Sequence, residues 1–398
     1  MTRVLLRDGA VADGRSPELR LGLSVLIEDS VIRWIRPSDA EEDPGPADGL
    51  QVIDASGSTI VPGMVDAHSH LTLPGGAHWI DRLGDTAATQ LAVAERNARL
   101  LTGAGVRWAR DVGATIAVDP VDGRRRALSL GIRDRWRGRR GYPEIRAAGT
   151  WVARAGTFAP GLAVDAHDGD ELLALALAQL DDGADLVKLY MDGPDPATPP
   201  WSAGEVRRVV QAVHAKGARV TAHSTHLDGA RTCADAGIDA IEHGFELDAD
   251  LAATLARQGA YVVSTLAVFR SRITFARTTA LPRFASPEGR AAILDRLAQC
   301  RESIRLAHRA GVPIAAGTDF GGGSGRANHL AWEVESLVEA GLEPWEALGA
   351  ATWRGGELLG VPDAGVIREG GPGDLALVHG DPLSDPGALW RVWWVSWA

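Results

Sequence analysis

The stretch PGMVDAHSHL, residues 62–71, places two histidines at the end of an apolar run. In a β-strand, residues two apart point to the same face of the sheet, so the imidazoles of His68 and His70 can converge on one point. Metal ligands must converge in this way, and imidazole is the commonest metal-binding side chain. The pattern also fits two polar residues at a strand end, so the rest of the chain must decide between the two interpretations.

Strand-like segments alternate with helical ones over the middle of the chain. They are IVPGMVDAHSH (60–70), GVRWARDVG (105–113), EIRAAGT (144–150), ADLVKLYM (184–191), ARVTAHS (218–224), IDAIEHG (238–244), AYVVSTL (260–266) and VPIAAGTD (312–319). The clearest helical stretches end near glycine, as helices commonly do, and lie at 170–183, 202–217 and 287–311. Eight βα units predict an α/β protein with a parallel (β/α)8, or TIM, barrel.

Both ends of the chain have a different pattern. Residues 1–60 and 362–398 consist of short β-rich runs separated by Gly, Asp and Pro turns. We therefore predict a small composite β-sandwich domain built from 1–60 and 362–398, and a barrel domain over 61–361.

Composition excludes several classes of protein. The net charge of −11 over 398 residues argues against a nucleic-acid partner. Two cysteines, Cys233 and Cys300, permit neither a disulfide framework nor a cysteine-based metal site. We find no apolar run long enough for a membrane span and no signal peptide, and we expect a cytoplasmic protein, with a homo-oligomer left open.

Ionisable residues fall at or near the C-terminal ends of five of the predicted strands, where a TIM barrel builds its active site. They are His68, His70, Lys188, His223, His243 and Asp319. Each has an ordinary alternative, such as a structural histidine or a helix-capping aspartate. For the metal interpretation to be wrong, all of these ordinary alternatives would have to be correct at the same time, on five strands. Four histidines and an aspartate supply the ligands that suit Zn²⁺, with Mn²⁺, Ni²⁺ or Fe²⁺ as alternatives.

Lys188 is the most informative of these residues. The 41 basic residues include only two lysines, Lys188 and Lys216. Lys188 lies inside an apolar strand, where an ammonium group is unfavourable unless it is paired. A desolvated lysine loses its proton readily, and the neutral amine can take up CO2 to form a carbamate able to bridge two metals. The alternatives are a carboxylate partner or a lysine retained by chance.

These residues, in this order along the strands, resemble the amidohydrolase superfamily in its binuclear, carboxylated-lysine form. The longer phrases GADLVKLYMDG (183–193), RVTAHSTHLDGARTCADAGIDAIEHG (219–244) and GVPIAAGTDFG (311–321) resemble its imidazolonepropionase-like branch, which includes Xaa-Pro dipeptidases. The resemblance covers nearly the whole chain.

The resemblance implies two divalent ions, most simply Zn²⁺. His68 and His70 would bind the more buried ion with Asp319, and His223 and His243 the more exposed one. Carboxylated Lys188 and a hydroxide would bridge both ions. Asp319 would also carry the proton from the hydroxide to the leaving amine.

The activity implied is that of a metal-dependent amidohydrolase acting on a small molecule. Its substrate would be a dipeptide, an N-acyl amino acid, or an aryl amide or carbamate. A mononuclear deaminase or cyclic-amide hydrolase of the same fold is the alternative, and it needs no bridging lysine. A lactonase or esterase and an inactive metal-binding scaffold are the remaining interpretations.

Selectivity is expected to come from the loops that follow the strands. The candidate substrate-binding residues are His78, Trp79, Trp151, Arg154, Tyr190, His226, Arg326 and His329. Arg154 or Arg326 could hold a substrate carboxylate, although an exposed arginine is commonly just a surface residue.

Overall fold

The structure is a computed structural model that describes residues 3–41, 49–158, 161–323 and 325–398. The N-terminal part of the chain consists mainly of strands. They are β1 (Arg3–Val11), β2 (Arg20–Glu28), β3 (Val31–Pro37), β4 (Leu50–Asp54) and β5 (Ser58–Pro62).

The middle of the chain supplies the strands that carry the site. They are β6 (Met64–Ser69), β7 (Val106–Asp111), β8 (Ile116–Val118), β9 (Arg125–Ala127), β10 (Glu144–Ala147), β11 (Trp151–Arg154), β12 (Ala163–Ala166), β13 (Leu186–Tyr190), β14 (Arg219–Ser224), β15 (Ala240–His243), β16 (Tyr261–Ser264) and β17 (Ile314–Ala316). Each of the eight predicted strand segments contains one of them, so those strands are confirmed.

Helices follow most of these strands. They are α1 (Ala87–Gly103), α2 (Leu128–Trp136), α3 (Gly169–Asp181), α4 (Ala203–Ala215), α5 (Leu227–Ala236), α6 (Ala249–Gln258), α7 (Ala267–Thr278), α8 (Pro282–Ala285), α9 (Pro287–Arg309), α10 (Leu330–Glu339), α11 (Pro344–Ala350) and α12 (Trp353–Leu358). The three predicted helical stretches are confirmed as α3, α4 and α9. Within the described part of the chain, none of these helices has the length and apolar character needed to cross a membrane.

Local sequence explains where a helix such as α4 begins and which face it buries. The hydroxyl of Ser202 accepts from the backbone N–H of Glu205, and the Glu205 carboxylate accepts in return from the N–H of Ser202. Valines at 206, 209, 210 and 213 recur with helical spacing and are buried. The helix therefore packs one apolar stripe against the sheet.

The strands of the middle region form parallel sheets. One has the order β10-β7-β6 and the other β12-β11-β13-β14-β15-β16-β17, while β8 and β9 pair separately. On one side the chain itself links the two parallel sheets, since it runs directly from β10 into β11. β10 pairs with β7 in the first sheet, and β11 pairs with β13 in the second. On the other side, the backbone N–H of Asp319 donates to His68 O at 2.9 Å, and that of His70 donates to Phe320 O at 3.0 Å. The mixed α/β fold with a parallel sheet agrees with the prediction.

The two chain ends share one sheet, completed by β18 (Leu375–His379) and β19 (Val392–Val395). Its order is β19-β18-β5-β1-β2-β3, and β4 also pairs with β1. The N-terminal part of β1 pairs with β4 and its last residues pair with β5, so the sheet divides near Asp8, whose φ is +59°. Leu5 and Val4, being neighbours in the strand, pack into separate apolar clusters on its two faces.

Gly317 allows β17 to lie close to β6. A Cβ at this position would stand 2.5 Å from the Cβ and 2.8 Å from the backbone nitrogen of His68. We expect Gly317→Ala to lower the free energy of unfolding by roughly 1–3 kcal/mol, because a strand must shift to admit the methyl group. Urea unfolding would measure the loss.

Gly204→Ala, in α4, is the matched control, since its added methyl group meets only the Ser202 hydroxyl at 3.8 Å. That variant should match or exceed the wild-type stability by up to about 1 kcal/mol. Equal stability of the two variants would contradict the close approach of the two strands.

Candidate metal centre

The most compact group of metal-binding side chains joins the end of β6 to the segment after β17. The Nε2 atoms of His68 and His70 lie 3.4 Å and 3.3 Å from Asp319 Oδ1. The ligand atoms of all three residues lie within 4.8 Å of one another, and both histidines are buried. This group can hold one divalent ion.

Hydrogen bonds set the orientation of both imidazole rings. His68 Nδ1 lies 2.7 Å from Glu242 Oε2, and His70 Nδ1 lies 2.9 Å from Gly113 O. A carboxylate and a carbonyl can only accept, so each Nδ1 carries the hydrogen and each Nε2 turns a lone pair toward Asp319. This is the tautomer that a metal ligand requires.

A second pair of histidines lies at the ends of β14 and β15. His223 Nε2 is 3.0 Å from Asp192 Oδ2, and His243 Nδ1 is 2.8 Å from Thr265 Oγ1. The remaining nitrogens, His223 Nδ1 and His243 Nε2, face each other at 2.8 Å. Because Asp192 accepts from Nε2, the facing Nδ1 has a lone pair, and a proton or a cation must satisfy it.

The two groups adjoin. The ring centroids of His68 and His243 are 4.7 Å apart, so all four histidines and Asp319 form one cluster. Burial and the neighbouring His223 keep the pKa of His243 well below its usual range, which leaves the ring neutral, as a ligand must be. The structure thus brings together the histidines and the aspartate that the sequence predicts as ligands.

Lys188 lies in β13 and is fully buried. Its Nζ has no hydrogen-bond partner among the described residues. Burial lowers the pKa of Lys188 to about 8, although the carboxylates of Glu242 and Asp319 act in the opposite direction. An interior amine without a partner is unfavourable. A carbamate formed on this nitrogen would replace the unpaired amine with a carboxylate, and that carboxylate could bind a nearby cation.

Glu242 is the most important site residue that the sequence interpretation missed. It is fully buried in β15, accepts from His68, and also accepts from Arg110 and Thr221. Burial alone would raise the pKa of Glu242, but Arg110, Lys188 and His68 together hold it well below its usual range. The feature of the sequence that could have identified Glu242 is the presence of an acidic residue inside the apolar segment IDAIEHG.

Asp192 and Asp66 were also missed. Asp192 orients His223 and accepts from the backbone and hydroxyl of Thr225 at 2.9 Å and 2.6 Å. Asp66 accepts from the backbone and hydroxyl of Thr318 at 3.0 Å and 2.6 Å, which ties β6 to the end of β17. Burial raises the pKa of Asp66 to about 7. Both acids stand two to four residues from a predicted ligand in the sequence.

Two of the predicted ligands have an unusual backbone conformation. His243 has a φ of +73° and Asp319 a φ of +50°, in the left-handed region that non-glycine residues seldom adopt. Such conformations are retained where the surrounding structure enforces them, and they cluster at functional sites. Here they turn both side chains toward the shared cluster.

The model of the amidohydrolase family matches residues 59–395. This chain belongs to that family. It is 32% identical over 390 residues to an uncharacterized protein of Mycobacterium tuberculosis, with 94% of each chain covered. It is 28% identical over 408 residues to the imidazolonepropionase of Anaeromyxobacter dehalogenans, covering 94% of this chain and 89% of that protein.

A solved structure is similar over the whole amidohydrolase chain. The crystal structure of an Xaa-Pro dipeptidase with methionine bound in the active site superposes with a TM-score of 0.83 at 25% identity, covering 99% of this chain and 98% of that one. The predicted placement in the imidazolonepropionase-like and prolidase-like branch of the superfamily is thereby confirmed.

Aromatic residues of this amidohydrolase line one side of the histidine cluster. Trp151 stacks on His70 with ring centroids 4.8 Å apart, and Tyr190 stacks on His223 at 4.4 Å. Phe158 lies between them, 5.5 Å from Trp151 and 4.5 Å from Tyr190. We call Trp151, Phe158 and Tyr190 the aromatic wall.

Three other candidate substrate-binding residues lie near this side or on the surface. Trp79 packs in the apolar cluster that contains Trp151. His78 is exposed, with Nδ1 2.9 Å from Asp81 Oδ2. His226 Nδ1 lies 3.4 Å from Glu246 Oε1, which is too long for a hydrogen bond of normal strength.

The remaining candidates already have protein partners. Arg154 Nη1 donates to Pro200 O at 2.8 Å, and Arg326 Nη1 donates to Pro74 O at 2.9 Å. His329 Nδ1 accepts from the backbone N–H of Arg326 at 3.1 Å, and burial lowers the pKa of His329 to about 4.

Glu242→Gln should weaken metal binding. The amide can still accept one hydrogen bond, but it removes the negative charge that Arg110 and the His68 N–H share. We expect the affinity for Zn²⁺ to fall roughly 10- to 100-fold, the usual effect of losing a group that orients a metal ligand. Competition with a chromophoric chelator would measure it, and circular dichroism would establish that the variant is folded.

Glu246→Gln provides the control, because Glu246 pairs with Arg296 outside the histidine cluster. Its Zn²⁺ affinity should equal that of the wild-type protein. Equal affinities in both variants would show that Glu242 does not orient a metal ligand.

Proposed function

We propose that this chain is a metal-dependent hydrolase that cleaves an amide or related C–N bond of a small molecule. The substrate classes are dipeptides, N-acyl amino acids, and aryl amides or carbamates. Two divalent ions, Zn²⁺ in the simplest case, would be held by His68, His70, His223 and His243 with Asp319. Lys188, carboxylated by CO2, would contribute a further ligand to both.

The observation that carries the proposal is the buried amine of Lys188. It points into the interior beside the histidine cluster, yet it has no hydrogen-bond partner among the described residues. A lysine kept only for structure would pair with a carboxylate there. The lone pair of His223 Nδ1, which faces His243 Nε2 at 2.8 Å, also requires a cation or a proton, and a second ion would meet that requirement.

Different residues of the chain would have different roles in the reaction. Bound divalent ions would supply a water of lowered pKa and polarise the scissile carbonyl. Glu242 and Asp192 would hold the ligand rings in place through their second nitrogens. Asp319 would take the proton of the attacking water on a carboxylate oxygen and deliver it to the leaving nitrogen.

The proposal extends to the architecture. We propose that the two hydrogen-bonded parallel sheets together form a (β/α)8 barrel over residues 61–361. The strands of 1–60 and 362–398 would form the composite β-sandwich domain beside it. We further propose a cytoplasmic enzyme with a small-molecule substrate and neither a nucleic-acid nor a membrane partner.

One observation favours the mononuclear alternative, a deaminase or cyclic-amide hydrolase. His68, His70 and Asp319 form a compact group that can hold a single ion without Lys188. In that chemistry Lys188 would remain a free amine, so its chemical state decides between the two proposals.

Carbon-13 labelling can read the state of Lys188 directly. Protein loaded with Zn²⁺ in carbon-13 bicarbonate should show a carbamate resonance that Lys188→Ala loses and Lys216→Ala keeps. Lys216 is the only other lysine in the sequence, and it is exposed, with an ion pair to Asp181. Metal analysis should give two ions per wild-type chain and fewer in Lys188→Ala.

A single ion per wild-type chain without a carbamate signal would exclude the binuclear proposal and favour the mononuclear one. Activity should be assayed in parallel on N-acyl amino acids, dipeptides, aryl amides and carbamates. Loss of all hydrolysis on chelation, and its return with Zn²⁺, is the expected result for a metal-dependent enzyme.

Asp319→Asn tests the proton transfer. The change is nearly isosteric, so the fold should be retained, and kcat should fall roughly 10²- to 10⁴-fold, the usual effect of general acid–base catalysis. Assays with saturating Zn²⁺ from pH 5 to 9 separate this role from ligation. The variant should lose the acidic limb of the wild-type kcat/KM profile, whereas a near wild-type kcat would leave Asp319 as a ligand only.

A further inference from the structure

Arg272 is a cation beside the metal centre that has no assigned role. It lies in the second turn of α7, the helix that follows β16, at the end of the sheet where the histidines lie. The residue is half-buried. Its guanidinium group makes no hydrogen bond and no ion pair with any residue that the structure describes. It lies over the ring of Phe269, 5.4 Å from the centroid.

A series of ring contacts connects Arg272 to the metal centre. The centroid of Phe269 is 5.2 Å from that of Phe245, which is 5.3 Å from that of His243. The charges of Arg272 and Asp319 also interact: burial lowers the pKa of Arg272, and the Asp319 carboxylate partly restores it. The guanidinium remains cationic at neutral pH, because its pKa is far above that range.

Other arginines near this face already have acceptors. Arg154 and Arg326 donate to backbone carbonyl groups, and Arg296 donates to Glu246 and to Thr225 O. Arg272 differs because its planar fork of N–H donors has none among the described residues. Such a fork matches a carboxylate with two parallel hydrogen bonds, and partial burial strengthens the interaction.

We propose that Arg272 binds a carboxylate on the leaving-amine side of the substrate. Since Asp319 would deliver the proton to the leaving nitrogen, the amine side of the substrate must lie near Asp319. Arg272 is connected to the cluster that contains Asp319 through the rings of Phe269, Phe245 and His243. This inference rests on the proposed amide hydrolysis. It narrows the substrate class to N-acyl amino acids and dipeptides, and it removes uncharged aryl amides and carbamates.

The aromatic wall completes the assignment. Trp151, Phe158 and Tyr190 stack against His70 and His223, whereas Arg272 is connected through Phe269 to His243. In the sheet order, β13, β14 and β15 separate β11, which carries Trp151, from β16, which precedes α7. The acyl portion of the substrate would therefore contact the wall, and an apolar or aryl acyl group fits it best.

Binding of uncleavable ligands tests the assignment without turnover. The first ligand is the ketomethylene analogue of N-phenylacetyl-L-alanine, in which CH2 replaces the amide NH, and the second is the same ketone lacking the carboxylate. Calorimetry on Zn²⁺-loaded protein should show at least about tenfold tighter binding of the acid to the wild type. Arg272→Gln should weaken binding of the acid roughly 10- to 100-fold, as expected for lost charge-assisted hydrogen bonds, and binding of the neutral ketone less than about threefold.

Arg277→Gln is the matched control, an exposed arginine on the same helix. It removes the same net charge and should bind both ligands like the wild type. Equal weakening of both ligands by Arg272→Gln would assign Arg272 a structural role and overturn the inference. A wild-type protein without preference for the acid would overturn it as well.

Hydrolysis of the corresponding amides separates this inference from the function on which it rests. The pair is N-phenylacetyl-L-alanine and N-ethylphenylacetamide, which differ only by the carboxylate. Hydrolysis of both with equal kcat/KM would support amide hydrolysis and contradict the role of Arg272. Arginine-dependent binding of the acid ketone, with neither amide cleaved, would support the carboxylate site and contradict amide hydrolysis.

Discussion

The candidate metal centre depends on one buried carboxylate, that of Glu242. From β15 it accepts hydrogen bonds from His68 on β6, Arg110 on β7 and Thr221 on β14. Two of these strands belong to the three-stranded parallel sheet and two to the seven-stranded one, so this single side chain bonds the sheets to each other through the interior. Its charge is stabilised there chiefly by Arg110. The same hydrogen bonds of Glu242 therefore stabilise the fold and orient the candidate site.

The sequence was sufficient to predict eight strands of the parallel sheets and the histidine cluster, for a geometric reason. Parallel strands bring their C-terminal ends to one edge, so polar residues that end successive strands must meet there. His68, His223 and His243 obey that rule, and so does Asp319, although it lies three residues beyond the end of β17. Lys188 was conspicuous because charge inside an apolar strand needs an explanation. Each inference used only position along the chain and the pleat of a strand.

Other features depend on packing that a single sequence does not encode in a readable way. Nothing in the order of residues shows that Glu242 accepts from His68, 174 positions away. Arg272 was missed because an arginine on a helix is ordinarily a solvated residue, and its lack of a partner is a property of the folded surroundings. The third predicted strand, 144–150, contains only β10, and the residues after it were expected to form a loop, but Trp151–Arg154 form β11. That β10 and β11 pair in different sheets likewise depends on the neighbours that each strand meets.

The sheet shared by both chain ends imposes an order on biosynthesis. β5 pairs with β18, and the Thr59 hydroxyl donates to Gly380 O across 321 residues of sequence. While the chain emerges from the ribosome, β5 therefore presents an open edge during translation of the whole middle region. Contacts so distant in sequence form slowly, and an open edge is a template for wrong pairing. The sheet that contains β5 can therefore be completed only when β18, near the end of the chain, has been translated. The nascent chain is most prone to aggregation just before that point.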